Sequence, residues 1–81
     1  MTHEEDIPEA VKQLIEEERE AREIRRKHAD WDFINRQRPL IRNALIYYIK
    51  TGDIRRACKM ARMNIDAFRE LLRKAKIPVI T

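Results

Sequence analysis

Eight cations fall within residues 53–76: Arg55, Arg56, Lys59, Arg62, Arg69, Arg73, Lys74 and Lys76. Guanidinium and ammonium groups at that density bind phosphate oxygens, and a forked arginine can also grip a guanine edge. Asn64, Asp66 and Glu70 stand among them and offer further groups to base edges. Catalytic chemistry finds no comparable foothold. His3 and His28 are far apart and lack Cys or carboxylate partners at metal-ligand spacing. A single glycine excludes a Gly-rich phosphate loop, and Cys58 falls on an apolar helix face where a small buried thiol is expected. The inventory points to a binding protein, with no enzyme activity, cofactor or metal.

These groups need two short helices to hold them. Ile54, Ala57, Cys58 and Ala61 recur at helical spacing, which turns Arg55, Arg56, Lys59 and Arg62 outward. Ile65, Phe68, Leu71, Leu72 and Ala75 repeat the pattern, with Asp66, Arg69, Glu70, Arg73 and Lys74 on the outer side. Asn64 between them is placed to cap the second helix, and Asp66 suits the positive end of its dipole. Small residues at 57, 58 and 61 let another helix cross closely. A helix-turn-helix and a plain helical hairpin both satisfy this pattern.

Eighty-one residues allow one small domain, and 40% charged with 43% hydrophobic residues describes a folded, helix-rich chain instead of a disordered one. Charge is unevenly divided. Residues 1–40 carry 8 Lys and Arg against 11 Asp and Glu, a net of −3, while residues 41–81 carry 10 against 3, a net of +7. The basic half should attract polyanions, which the acidic half would repel unless it points away. One cysteine cannot form an internal disulfide, and the acidic start does not resemble a secretory signal, so a cytoplasmic location is expected. No apolar run is long enough to span a bilayer, so no membrane partner is expected.

Taken in order, Asp6, Pro8 and Glu9 announce a long helix running to about His28. Ile7, Val11, Leu14 and Ile15 give it an apolar stripe, which then thins into EEEREAREIRRKH. Pairs such as Glu16 with Arg19, Glu18 with Arg22 and Glu23 with Lys27 support the solvated part. A continuous two-stranded coiled coil is disfavoured, because its seam would meet Glu18 and Arg25. The four apolar residues either pack onto the rest of the chain or contact a dimer mate or partner. Residues 1–29 thus form an acidic helical extension. Residues 30–38 read as a bent connector whose Trp31, Phe33 and Ile34 tuck into the core or meet a partner. Residues 39–81 form the domain proper, beginning with a helix from Pro39 that buries Leu40, Ile41, Ala44, Leu45, Tyr48 and Ile49. Gly52 should close that helix left-handed, and Asp53 should cap the next. The expected fold is all-α, a tri-helical helix-turn-helix domain with a long N-terminal helix. Pro78 should stop the last helix and leave an apolar tail.

Residues 44–79 resemble small prokaryotic antitoxins, many encoded beside PIN-domain ribonuclease toxins. The resemblance rests on Tyr48, on Gly52-Asp53-Ile54, on the run from Ala57 through Met63-Asn64, on Phe68, on Leu71-Leu72 and on Ile77-Pro78. Arg62 stands where that pattern has glycine. The resemblance implies a DNA-binding transcriptional regulator with a ribonuclease toxin as partner. Its acidic N-terminal helix would then replace the family's acidic tail as the toxin-binding segment.

On the helix-turn-helix reading, the helix from Ile65 enters the major groove of double-stranded DNA. Asn64, Asp66, Arg69, Glu70 and Arg73 then read bases, while Arg55, Arg56, Lys59, Arg62, Lys74 and Lys76 hold phosphates. Ile7, Val11, Leu14 and Ile15 serve a homodimer or partner contact. The rival reading is a protein–protein adaptor that grips a basic partner through the acidic N-terminal helix. An RNA-binding module is a third, with only Tyr47 and Tyr48 as stacking aromatics in the basic half.

Overall fold

The computed structural model describes residues 8–79. His3, Asp6 (expected as the cap of the first helix) and Ile7 lie outside the described residues. Those described form five helices and no strand: α1 (Glu9–His28), α2 (Trp31–Asn35), α3 (Pro39–Thr51), α4 (Ile54–Ala61) and α5 (Ile65–Lys74). The all-α class stands, but the count differs from three helices behind one long one, because the 30–38 connector contains a helix. Its cause is local: the Asp30 side chain accepts a hydrogen bond from the Phe33 N–H at 3.1 Å, capping α2. Ile34 in that helix is fully buried.

The remaining boundaries follow from caps and turns. Pro39 opens α3, where its missing N–H costs nothing. Gly52 closes it at φ 71°, with its N–H on the Tyr48 carbonyl at 2.7 Å. The Asp53 carboxylate then accepts from the Arg56 N–H at 3.1 Å, so only two residues separate α3 from α4. The ends of α4 and α5 share one device. Met63 donates to the Cys58 carbonyl and Arg62 to that of Lys59, around Arg62 at φ 56°. Ile77 donates to Leu72 and Lys76 to Arg73, around Lys76 at φ 57°. Both are Schellman motifs with a cation at the left-handed position that glycine usually takes. The second turns Ile77 back into the core, where it is 3% exposed.

Phe68, Ile34, Leu45 and Leu72 are the largest fully buried side chains. Ala57, Cys58 and Ala61 make the inner face of α4 small, and α3 packs on α4 more extensively than any other pair. Tyr48 meets Phe68 edge to face, with ring centroids 6.3 Å apart. The Asp30 N–H donates to the Ala75 carbonyl at 2.8 Å, tying the end of α1 to the end of α5.

α1 joins this core only through its C-terminal part. Arg25, expected in the solvated charge run, is instead 4% exposed and lies against α3. Outward from it the helix leaves the body, which is why the molecule measures 43 × 23 × 23 Å. Val11, Leu14 and Ile15 are exposed, Leu14 at 60%, so they do not pack onto the rest of the chain. Leu40 and Ile65, expected inside, are also exposed, each in the first turn of its helix. Trp31 lies at the surface with its indole N–H on the Arg26 carbonyl at 2.9 Å, whereas Phe33 is half-buried. Of the ion pairs expected along α1, Glu16 with Arg19 forms at 3.4 Å, and Glu23 pairs with Arg26 instead of Lys27.

Candidate nucleic-acid interface

The cationic groups of residues 53–79 are mounted on α4, α5, the three residues between them and the turn that follows α5. Burial of Ala57, Cys58 and Ala61 fixes the roll of α4, which leaves Arg55, Arg56 and Lys59 exposed. Arg62 is exposed at the turn. In α5, Phe68 and Leu72 point inward and Asp66, Arg69, Glu70 and Arg73 share the opposite side at three- and four-residue spacings. Lys74 and Lys76 are exposed at its C-terminal end. Every base-reading and phosphate-holding candidate named from the sequence is therefore solvent-facing.

Their side chains are not equally free. The Asn64 side-chain Oδ1 accepts the Ala67 N–H at 2.7 Å as the α5 cap. Its amide NH2 is left to meet another molecule as a donor. Arg73 donates from Nε to Glu70 Oε2 at 3.2 Å and from Nη2 to Oε1, a bidentate pair along the helix. That hydrogen bonding, with the charges of Arg73 and Lys74, holds the Glu70 carboxyl below its ordinary range, and the same hydrogen bonding with the Glu70 charge raises Arg73. Arg69 makes no ion pair among the described residues. Its charge reaches the interior: burial pushes up both the Cys58 thiol and the Tyr48 phenol, and Arg69 opposes each shift. Burial on the inner face of α4 favours the protonated thiol and places Cys58 among the packing groups of the core.

Two features escaped the sequence. Arg25 is buried over the Tyr48 ring, with its guanidinium carbon 5.8 Å from the centroid, and its Nη2 has no hydrogen-bond partner among the described residues. Nothing in the local run marks it out from Arg22 or Arg26. The second is an apolar groove between α1 and α3, formed by Trp31, Ile46 and Ile49 and rimmed by Arg22, Arg26 and Lys50. It depends on tertiary placement of the connector, which periodicity does not encode.

Among the described residues no group of three or more His, Cys, Asp or Glu side chains is arranged to hold a metal ion. No described helix is long and apolar enough to cross a membrane. Comparison with known proteins finds no matching family model, no curated relative and no similar solved structure.

Proposed function

We propose that α4 and α5 act as a helix-turn-helix that lays α5 in the major groove of duplex DNA, and that the protein is a transcriptional regulator. The observation that carries this is the exposed charge on the pair: residues 53–79 hold 8 Lys and Arg against 3 Asp and Glu, a net of +5, with every cation solvent-facing. A ten-residue α5 is about 15 Å long, and a major groove about 12 Å wide admits a helix of this kind. Arg69, which pairs with no carboxylate among the described residues, is the principal base reader; Arg73 must first leave Glu70. Arg55, Arg56, Lys59, Arg62, Lys74 and Lys76 hold phosphates and set the docking register. The antitoxin role, with a ribonuclease toxin as partner, rests on the resemblance of residues 44–79 and on the acidic outer half of α1, whose exposed glutamates suit a basic partner.

Titration of duplex DNA at several salt concentrations tests the reading. Binding should weaken steeply with salt. Arg69→Ala should cost about 1–3 kcal/mol and relax sequence preference, whereas Lys59→Ala should weaken all sequences alike and flatten the salt slope by about one unit. Absence of salt-dependent binding at low ionic strength removes it.

The adaptor reading is favoured by one observation, the exposed Val11, Leu14 and Ile15 amid the glutamates of α1. Reversing the charge of Arg69 and Arg73 separates the two, since an adaptor working through α1 would keep its partner.

A further inference from the structure

We infer that the exposed face of α1 is the contact for a second copy of this chain, with the two α1 helices antiparallel. Val11, Ile15, Glu18, Arg22 and Arg26 fall at spacings of four, three, four and four, so they form one face along the helix. Its outer end is apolar and exposed, with Leu14 on its flank. Its inner end opens into the groove of Trp31 and Ile46, whose rim is Arg22, Arg26 and Lys50. The chain therefore carries both a projecting apolar stripe and an apolar groove of matching position.

Charge specifies the direction. Residues 9–20 carry 5 Glu against 2 Lys and Arg, a net of −3, and residues 21–28 carry 4 Lys and Arg against 1 Glu, a net of +3. Antiparallel pairing places each acidic half against a basic half, while parallel pairing stacks like on like. With the two-fold axis between residues 18 and 19, Ile15 faces Arg22 and Val11 faces Arg26 across the contact. The arginine stems cover the apolar side chains while the charged heads stay wet beside the opposing glutamates. Glu18 meets Arg19 of the second copy, so the charge that interrupts a heptad seam becomes an ion pair. Arg25 takes no part, being turned onto its own α3. The contact is isologous, as a closed dimer requires.

Light scattering of the full chain without DNA, joined to cysteine cross-linking in a Cys58→Ala background, tests this. A two-chain mass is expected. Glu18→Cys lies near the axis and should oxidise to a covalent dimer, whereas Val11→Cys lies about 22 Å from its copy along the helices and should not. Ile15→Glu should weaken self-association about tenfold or more with the helical circular dichroism intact. A single-chain mass at high protein concentration, or cross-linking of Val11→Cys as ready as that of Glu18→Cys, overturns the pairing. Because DNA is absent, either result leaves the DNA-binding reading to stand or fall on its own titration.

Discussion

Arg25 donates from Nε to the carbonyl oxygen of Ile49 at 2.9 Å, across 24 residues of sequence. Ile49 lies in the last turn of α3, where carbonyls have no partner within the helix and a cation opposes the negative end of the dipole. The same guanidinium covers Gly52: a Cβ built there would sit 3.1 Å from Nη1 and 3.3 Å from Cζ. One arginine thus seats α1 on the body and closes the far end of α3.

Arg25→Met, which keeps the stem and loses the donor, should destabilise the fold by about 2–3 kcal/mol, the scale of a charged hydrogen bond and an orphaned carbonyl. Urea unfolding followed by circular dichroism measures it. Arg25→Lys should recover only part, since an ammonium cannot both donate to Ile49 and lie flat over Tyr48.

Left-handed caps separate stability from binding. Arg62→Gly should stabilise the protein by about 1 kcal/mol while weakening DNA, because it relieves a backbone penalty and removes a phosphate ligand. Thermal melts and DNA titration should therefore move in opposite directions. Gly52→Ala should do the reverse and lower the melting temperature, through both φ 71° and contact with Arg25.

The Glu70–Arg73 pair restrains the proposed reading helix. Glu70→Gln should release Arg73, strengthen DNA binding and steepen the salt slope by up to about one unit. Because Arg73 holds the Glu70 carboxyl below its ordinary 4.5, the pair persists at neutral and mildly acid pH. Its contribution is present above that ordinary value and is lost as pH falls through the lowered one. An NMR titration of Glu70, with and without Arg73→Ala, reports the shift directly.

Alkaline pH should probe the core. Burial raises Cys58 above its ordinary 9.0 and Tyr48 above its ordinary 10.0, so the folded state keeps protons that the unfolded chain releases. Stability contributed by each is intact below the ordinary value and declines as pH climbs through the raised one. Urea midpoints should fall from about pH 9 upward in the parent. A Cys58→Ala, Tyr48→Phe double variant should show a shallower fall.

Local signals made most helix ends legible. Gly52, Asp53 and Asn64 sit where a left-handed cap and two side-chain caps were expected, because each acts on backbone groups within four residues of itself. The exposure of the cationic residues on α4 and α5 was legible for a related reason, since periodicity fixes which side of a helix is buried. Non-local features were hidden. Arg25 is one arginine among several on α1, and only the docking of α3 distinguishes it. Lys76 takes a left-handed φ without a residue type to announce it, and Ile77 needs that turn to reach the core. α2 was masked because five residues are too few to show a period, although Asp30 held its start signal.

Trp31 is the only tryptophan in the chain, and it lies on the wall of the groove between α1 and α3, 37% exposed. The molecule consequently carries its own fluorophore at the position where a second copy would seat. Dilution through the dissociation range should shift its emission to longer wavelength and open it to iodide quenching, with no label attached.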